Sequence, residues 1–553
     1  MKLTAPYAFV PLNHTVVQPD WAGHVSMDVP LKGAVSGTFD VVVETGTPLI
    51  LGGHTEQPPE GTDAPSRKHR FTLWQQDAIP GTSLKGAVRS VLEIAAFGKV
   101  GARMDDRRFA VRDLNNAHLY TSRMTDMFRP LSRAGWLSLG PDGQWRLRRC
   151  RWSLAKQADL EKVHGGPLYL GKGRATAEDK YEAWGRTSRT VMFDPDEERA
   201  RDDWARGRVL SRADNLGQGA TEGTVVLTGQ PNDRKKDFKP GKPGQPKSTD
   251  FLFHSAEPAG EALTVPERVR EDFEMIHRDP NTLQPAGNWA FWRPTLLAGQ
   301  EIPVFWLPAG KDDETVGAMG LAMMFRLAYR HGTRDLATRA NKAHLADDKP
   351  DLAELLFGYV RDGKSRDEDQ ALRGRVRFSP ARLEQAGAPE AEREEILLAP
   401  KAQFYPAYVA QTHLAETTGQ PVVQEGTYVG GEKARPFKAY TTYQDDDAEL
   451  RGRKRYPARR AVQASPAPVI DKPGEKQDRT ISRKVSTRFT PLGAGTRFRA
   501  RVTVHNLKKK ELGAFLWALT FGGREETHRH TLGMARPLGY GAVKLAVDRE
   551  TAD

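Results

Sequence analysis

The sequence predicts an α+β fold, and the hydrophobic periodicity near both ends of its 553 residues carries that prediction. Near the start, residues 37–45 alternate apolar and polar side chains, which indicates a strand with one wet face, and a helix follows Ser83. Near the end, residues 496–506 alternate in the same way, residues 511–521 have helical spacing, and residues 542–547 predict a closing strand. These strand–helix and strand–helix–strand units favour a ferredoxin-like sheet.

Composition narrows the class of protein. Hydrophobic residues make up 38% of the chain and charged residues 28%, which predicts long polar loops or insertions beside folded parts. The net charge of +12 favours a polyanionic partner. The one cysteine, Cys150, excludes an internal disulfide framework and a four-cysteine zinc site. No stretch resembles a membrane span or a signal peptide, so we expect a soluble, cytoplasmic protein that handles nucleic acid and has no membrane partner.

The middle of the chain gives weaker signals. Residues 302–307 predict a strand, residues 316–329 a helix with a methionine stripe, and residues 374–379 another strand. The polar, glycine- and proline-containing residues 54–69 and 234–247 predict loops.

The first candidate for chemistry is the start of the N-terminal helix. Ser83 is a natural N-cap after a Pro-Gly-Thr turn, and helix N-termini bind phosphate groups. Lys85 and Arg89 are four residues apart and therefore share one face of this helix. These residues predict a phosphate site, and a tight turn before an ordinary solvated helix is the alternative.

The second candidate is a glycine-rich segment, residues 533–541. Gly533, Gly539 and Gly541 permit a close backbone approach, and Arg536 supplies a positive charge. The segment is neither a Walker loop nor a dinucleotide fingerprint, because no Gly-Lys-Ser/Thr follows and it precedes a strand. A plain β-turn is the alternative.

The third candidate is the basic face of the strand near the C-terminus. Arg497, Arg499 and Arg501 alternate with apolar residues, which is typical of binding to a nucleic-acid backbone. A solvated edge strand is the alternative. His528 and His530 form a weak candidate metal site, since no third ligand has a clear place beside them.

Together these segments resemble the RAMP superfamily of CRISPR-associated proteins. Residues 79–86, Ile-Pro-Gly-Thr-Ser-Leu-Lys-Gly, resemble its N-terminal hallmark, and residues 533–541 resemble its C-terminal hallmark. Residues 356–358 and 374–379 resemble the middle pattern, and residues 490–498 also fit. The pattern is similar to the backbone-subunit branch of type III CRISPR–Cas effectors, in an enlarged form.

The resemblance implies a modified RNA-recognition-motif fold that holds guide RNA (crRNA) and pairs it with target RNA. It also implies stacking on copies of itself or on related RAMP subunits, other CRISPR effector subunits as partners, and a role in antiviral defence. A loop aspartate would help a divalent metal ion, Mg²⁺ or Mn²⁺, to cleave target RNA through its 2′-hydroxyl. Asp63 is the better candidate and Asp77 the poorer one, while a loop carboxylate without a role is the alternative.

The chain is much longer than a single backbone subunit of that family. We expect part of the RAMP core in residues 1–98, an insertion, thumb-like region or partial second module in 99–288, a middle RAMP segment in 289–415, a basic flexible tract in 416–487, and the C-terminal core with the glycine-rich loop in 488–553. One core with large insertions and two incomplete RAMP modules both fit this pattern.

The leading functional hypothesis is an RNA-binding backbone subunit of a type III-like ribonucleoprotein effector, with metal-dependent endoribonuclease activity toward target RNA. A second hypothesis is a non-catalytic scaffold of the same complex. A third is a metal-independent endoribonuclease that processes guide RNA with a histidine as general acid–base, for which His14, His24 and His69 are available. A standalone RNA-binding protein outside CRISPR systems is the fourth.

Overall fold

The chain divides into two compact units in its computed structural model. Unit 1 comprises residues 1–107, 333–412 and 441–553, and unit 2 comprises residues 108–332 and 413–440. The structure describes residues 5–62, 64–101, 104–114, 117–126, 129–168, 175–185, 189–196, 211–230, 247–310, 314–361, 370–397, 401–411, 423–424, 428–429, 432–433, 437–438, 440–465 and 485–553.

Strands of three or more residues are numbered here in chain order. They are β1 (Ala8–Val10), β2 (Ala34–Thr45), β3 (Gly52–Glu56), β4 (Ser66–Arg70), β5 (Gln76–Ile79), β6 (Arg108–Val111), β7 (Arg133–Leu139), β8 (Trp145–Lys156), β9 (Thr190–Asp196), β10 (Arg212–Asp214), β11 (Thr221–Val226), β12 (Thr249–His254), β13 (Ile302–Pro308), β14 (Val316–Gly320), β15 (Leu327–Gly332), β16 (Tyr359–Arg361), β17 (Gln370–Leu372), β18 (Val376–Phe378), β19 (Ala381–Gln385), β20 (Arg393–Ile396), β21 (Arg453–Arg455), β22 (Ser486–Phe489), β23 (Arg497–Lys508) and β24 (Ala542–Asp548).

Helices of four or more residues are numbered in the same way. They are α1 (Gly81–Ala95), α2 (Gln157–His164), α3 (Ala177–Trp184), α4 (Glu267–Ile276), α5 (Asn288–Leu297), α6 (Thr333–Ala340), α7 (Leu352–Phe357), α8 (Tyr405–Tyr408) and α9 (Lys509–Thr520).

The centre of unit 1 is an antiparallel sheet. β2 pairs with β23 on one side and with β24 on the other. β23 also pairs with β18 and β19, and β19 continues the sheet to β5. The order is therefore β24–β2–β23–β18/β19–β5. The α+β class predicted from the sequence is confirmed.

The core of unit 1 lies between this sheet and helices α1, α7 and α9. Each fully buried aliphatic or aromatic side chain stabilises the unit by about 1.5–3 kcal/mol. The buried contributors from β2, α1 and α9 are Phe39, Val41, Val43, Leu84, Val88, Leu92, Phe515, Ala518 and Leu519. They occupy the apolar positions from which the sequence predicted a strand near residue 40 and helices at 84–97 and 511–521.

A buried ion pair joins the middle segment of unit 1 to α9. The guanidinium of Arg375 donates to Glu511 Oε2 at 3.0 Å and to the backbone oxygen of Asn506 at 2.7 Å. Neither side chain of the pair is exposed. Glu511 also accepts from the backbone N–H of Lys508 at 2.8 Å, in the first turn of α9. The strand end, the helix start and the Arg375 segment are therefore held at one point.

Unit 2 is built on a mixed sheet in the order β10–β9–β11–β12–β8–β7–β13–β14. β8 also pairs in parallel with β10, so β8, β12, β11, β9 and β10 close into a small barrel. Its core is rich in tryptophan, with Trp145, Trp184, Trp289, Trp292 and Trp306 all buried. Unit 2 therefore has a hydrophobic core of its own.

The structure differs from the sequence-based prediction at residues 316–329, where a helix was expected. These residues form β14 and the start of β15, and β14 pairs with β13 from Val316 to Gly320. Two glycines, Gly317 and Gly320, each cost a helix about 1 kcal/mol relative to alanine. The paired strand satisfies the same backbone groups through β13, so the methionine spacing was coincidental.

Residues 54–69 and the helix start also differ from expectation. Much of the predicted loop is an antiparallel hairpin of β3 and β4, and β4 pairs in parallel with β22. Helix α1 begins at Gly81 rather than after Ser83, and Pro80 is its N-cap. The carbonyl of Pro80 accepts from the N–H of Ser83 at 2.9 Å, so the proline turn itself starts the helix. Residues 234–246 of the second predicted loop lie outside the described residues.

No helix in the described part of the chain has the length and apolarity that a membrane crossing requires.

Candidate nucleic-acid interface

The N-terminal helix presents one positive charge without a carboxylate partner. Arg89 Nε donates to Glu93 Oε1 at 2.9 Å and its Nη1 donates to the carbonyl of Gly358 at 3.1 Å, so its charge is neutralised within the protein. Lys85 is half-buried, and burial followed by the charge of Arg89 lowers its pKa. Within the described residues no carboxylate pairs with Lys85. Ser83 lies half-buried in the first turn of α1.

The arginines of β23 lie on one face, as their spacing predicts, but acidic residues accompany them. Arg501 Nε pairs with Asp40 Oδ1 at 3.0 Å, and Arg499 Nη1 pairs with Asp548 Oδ2 at 2.5 Å. Hydrogen bonds to these carboxylates raise the pKa of both arginines. Arg497 is exposed at the start of the strand.

This face therefore carries mixed charge. β23 is a central strand that pairs on both sides, so the alternative of a solvated edge strand is wrong.

The three glycines of the glycine-rich segment adopt left-handed backbone conformations. The φ angles of Gly533, Gly539 and Gly541 are 75°, 96° and 74°. A side chain at any of them would also collide with a carbonyl oxygen of the protein, at Ile50, Ala461 or Leu532 respectively. The close approach that the sequence predicted is therefore an approach of the chain to itself, which shapes the loop around Arg536.

The structure brings this loop and helix α1 together through β21, which pairs with the N-terminal strand β1. Arg455 Nη1 donates to Ser90 Oγ of α1 at 2.7 Å, and Arg453 pairs with Glu93 at 3.3 Å. The guanidinium of Arg536 lies over the ring of Tyr456, at 5.3 Å from its centroid. Two motifs that are more than 400 residues apart in the sequence thus flank one short basic strand.

Three tyrosines surround the ammonium group of Lys454 in this region. Its Nζ lies 5.6 Å from the ring centroid of Tyr7, 5.9 Å from that of Tyr408 and 5.1 Å from that of Tyr456. Burial raises the pKa of Tyr408 to about 12, so this phenol stays protonated at neutral pH. All three rings are half-buried and keep part of their surface open to solvent.

We call these residues the basic–aromatic surface: Tyr7, Tyr408, Arg451, Lys454, Arg455, Tyr456 and Arg536. In the described part of the chain, no salt bridge to a carboxylate is formed by these four cations, and Glu93 attracts only Arg455 among them, without pairing. Burial lowers the pKa of Arg455, and the charge of Arg536 lowers it further. Such a concentration of unneutralised positive charge favours a polyanion, and the tyrosine faces can stack on bases.

Most of this surface is not predicted from the sequence, because the sequence predicts a basic flexible tract in residues 416–487. Residues 441–465 instead pack within unit 1, and β21 is one of its strands. The available signal was the six-residue run from Arg451 to Tyr456, in which four residues are basic and the last is a tyrosine. Residues 466–484 of the tract lie outside the described residues.

The predicted catalytic aspartate, Asp63, lies outside the described residues. The neighbouring groups are largely neutralised: His69 Nε2 lies 3.3 Å from Glu56 Oε2, and Arg67 pairs with Glu392. Asp77 lies in β5, as expected, and pairs with Arg70 at 3.0 Å. Glu392 and Asp77 are thus paired with cations, and the described carboxylates of this region form no cluster of oxygen ligands of the kind that Mg²⁺ or Mn²⁺ prefers.

The histidines in the described part of the chain do not form a cluster of three or more ligands that could hold a metal ion. His530 is buried against the carbonyl of Leu519, and burial lowers its pKa to about 4. His14 Nδ1 lies 3.2 Å from the carbonyl of Ala340, and His24 is exposed in a short 3₁₀ turn. Among the described residues, no carboxylate pairs with either of them to activate it for proton transfer.

Comparison with known proteins adds little evidence about the family or the function of this chain. No protein-family model matches the chain, and no curated protein matches it. Among the solved structures that match is the crystal structure of Thermofilum pendens Csc2, with 14% sequence identity and a TM-score of 0.13. The match covers 35% of this chain and 34% of that one, so this chain spans about a third of that protein's length. A likeness at this level carries no argument about fold or activity.

Proposed function

We propose that this chain is an RNA-binding subunit of a CRISPR ribonucleoprotein, and that its basic–aromatic surface holds single-stranded guide RNA along the phosphate backbone. The observation that carries the proposal is a set of four cations that form no salt bridge with a carboxylate of the described residues, Arg451, Lys454, Arg455 and Arg536, interleaved with three tyrosines. Cations of this kind release counterions from phosphates, and aromatic rings stack on bases of any sequence.

The strand order of unit 1 supports the finer assignment to a modified RNA-recognition-motif fold. In chain order the sheet uses β2, then β18/β19, then β23, then β24, and β2 lies between β24 and β23. Helix α1 follows the first of these strands, and α9 follows the third. This is the arrangement of a ferredoxin-like βαββαβ unit interrupted by unit 2.

The positions of the two hallmark segments also support the proposal. The glycine-rich loop carries Arg536 to Tyr456, and α1 presents Ser90 to Arg455. Lys85 lies on the same helix with an uncompensated charge, while Arg89 is neutralised by Glu93. We therefore assign phosphate contacts to Lys85 and Arg536, and expect less from Arg89.

Membership of a type III-like effector, stacking on related subunits and cleavage of target RNA rest on the sequence resemblance. Under this proposal Asp63 assists a divalent metal ion in cleaving target RNA. The alternative, a non-catalytic scaffold of the same complex, is favoured by the neutralised groups that flank Asp63. Asp63→Ala in the assembled complex separates the two: loss of metal-dependent cleavage supports catalysis, and cleavage at the parental rate rejects the role of Asp63.

The proposed function is tested by purifying the chain from its native operon and sequencing the RNA that accompanies it. RNA that carries a repeat-derived tag is expected. The variant Arg451→Gln/Arg536→Gln should lose most of this RNA, whereas the matched pair Arg499→Gln/Arg501→Gln, whose charges are already neutralised by carboxylates, should retain it. Absence of tagged RNA from the parental complex would reject the CRISPR assignment. Guide-precursor cleavage in EDTA would instead support the processing enzyme.

A further inference from the structure

Unit 2 contains a large cleft that the proposed function does not use. Its volume is about 1460 Å³, and it is lined by the first residues of β7, the middle of β8 and the ends of β12 and β13. Pockets for a single small molecule are usually about 300–1,000 Å³. The cleft therefore has room for a ligand longer than one nucleotide.

The lining is strongly basic. Among the described residues, the cleft is lined by four arginines, Arg123, Arg133, Arg149 and Arg151, and by one carboxylate, Glu257. Glu257 pairs with Arg149, which also pairs with Glu314 at 2.8 Å. In the described part of the chain, Arg133 has no carboxylate at ion-pair distance; it lies over the ring of Trp306, 5.2 Å from the centroid. The charge of Arg149 is therefore already neutralised, whereas Arg133 offers the cleft a positive charge that an anionic ligand would neutralise.

Apolar and hydroxyl groups stand among these cations. Trp152 is half-buried on the lining and donates its indole N–H to the carbonyl of Ser132 at 3.4 Å, while Leu131 beside it is exposed. Ser132 is 3% exposed, and its hydroxyl has no hydrogen-bond partner among the described residues. Such a group loses about 1–3 kcal/mol by remaining unsatisfied, so a ligand that hydrogen-bonds to it would be favoured.

Strand pairing fixes these groups relative to one another. Arg133 of β7 pairs with Trp306 of β13, and Ala134 pairs with Cys150 of β8. Arg151 pairs with His254 at the end of β12. The lining is therefore set by a hydrogen-bonded sheet, and it is formed before a ligand arrives.

We propose that this cleft binds a short stretch of single-stranded nucleic acid. A phosphate would contact Arg133, and a base would stack on the open part of Trp152. The combination of several cations, one accessible aromatic ring and a length beyond one nucleotide is the usual requirement for single-strand binding without sequence preference. This site lies wholly within unit 2 and is independent of the basic–aromatic surface of unit 1.

Photocrosslinking of the full-length protein tests the proposal directly. The probes are a 10-mer oligouridylate with 4-thiouridine and the corresponding oligothymidylate with 4-thiothymidine, and crosslinked peptides are identified by mass spectrometry. Crosslinks to residues 130–152 are expected. The RNA and DNA probes show which nucleic acid the cleft prefers, and crosslinks with either one support single-strand binding.

Matched variants connect the crosslinks to the cleft. Arg133→Gln should reduce them about tenfold, the cost of one charged hydrogen bond. Arg146→Gln, on the adjacent strand β8 but outside the cleft and paired with Asp142, should leave them unchanged. Ser132→Ala should weaken crosslinking without loss of thermal stability, because its hydroxyl has no partner to lose. This variant keeps the test valid if Arg133→Gln folds poorly.

The outcomes separate this inference from the proposed function. Crosslinks at Tyr7 or Tyr456 without any at residues 130–152 would overturn the cleft and leave the basic–aromatic surface intact. Crosslinks at residues 130–152 alone would support the cleft and reject the surface of unit 1. If uridine monophosphate competes as effectively as the oligonucleotide, the cleft binds free nucleotides and single-strand binding is wrong.

Discussion

Replacement of Arg536 by glutamine gives the sharpest test of the basic–aromatic surface. The guanidinium lies over Tyr456 and, among the described residues, no carboxylate neutralises it. Its loss removes one charge and leaves the three glycine positions that shape the loop unchanged. The matched control is Arg501→Gln, because Asp40 already neutralises Arg501 at 3.0 Å. The sequence alone treats these two arginines as equivalent, and the structure does not.

The expected magnitude follows from counterion release. Each phosphate neutralised on single-stranded RNA contributes about −0.7 to the slope of log affinity against log salt concentration. The four cations of the surface together with Lys85 therefore predict a slope of about −3.5, and a fourfold rise in salt should weaken binding roughly 130-fold. Without Arg536 the slope falls to about −2.8, and the same rise in salt weakens binding roughly 50-fold.

Fluorescence anisotropy with a labelled oligouridylate at several salt concentrations measures these slopes. The RNA is titrated with the parental protein, Arg536→Gln and Arg501→Gln, all in a background in which Arg133→Gln disables the cleft of unit 2. Heteropolymeric RNA of equal length should give the same slope change, because phosphate contacts do not distinguish bases.

Three results would refute the reasoning. An unchanged slope in Arg536→Gln would show that this side chain does not contact phosphate. An equal change in Arg501→Gln would show that the carboxylates of the sheet face do not neutralise its arginines. A loss confined to one RNA sequence would show base recognition instead of backbone binding.

Three further predictions concern the stability of the fold. Arg375→Met should destabilise unit 1 by about 3–5 kcal/mol in urea unfolding, because it leaves Glu511 buried without its partner. The paired replacement Arg375→Met/Glu511→Leu should recover part of that loss, because no buried charge is then left unpaired. Gly541→Ala should lower the melting temperature, because the φ of 74° and the adjacent Leu532 carbonyl leave no room for a methyl group. Gly513→Ala is the matched control: this glycine lies in the middle of α9 with open space around it, so the change should raise the free energy of unfolding by about 0.5–1 kcal/mol. Burial lowers the pKa of His530 to about 4, so this side chain stays neutral in the folded protein while the unfolded chain takes up a proton below pH 6.5. The free energy of unfolding should therefore fall by about 3 kcal/mol between pH 6.5 and pH 4. His530→Gln should remove that part of the decline, and an unchanged pH profile of stability would contradict the prediction.

Local pattern predicted the elements whose stability comes from a single apolar face. The alternation of Phe39, Val41 and Val43 and the helical spacing of Leu84, Val88 and Leu92 each identify the face that the core buries. Pattern failed at residues 316–329, because the choice between helix and strand depended on pairing with β13, which is remote in sequence.

The two motifs that flank the candidate site could be predicted from the sequence, but the strand between them could not. Residues 79–86 and 533–541 were found because turn and glycine chemistry leaves a local signature. The strand between them, β21, contains three consecutive basic residues and has no apolar periodicity. Its position depends on pairing with β1, about 440 residues away along the chain, and no local signal encodes that contact.

The sequence by itself determined that the protein is α+β, that its charge suits a polyanion, and which loops carry glycines and cations. Only the tertiary structure decided which cations are free to bind one. Asp40, Glu384 and Asp548, from other strands of the sheet, neutralise Arg499 and Arg501 of β23, while Arg451, Lys454, Arg455 and Arg536 meet among tyrosines. The reason is physical: the net charge of a chain is a sum over its residues, but the potential at a surface depends on distances that folding sets.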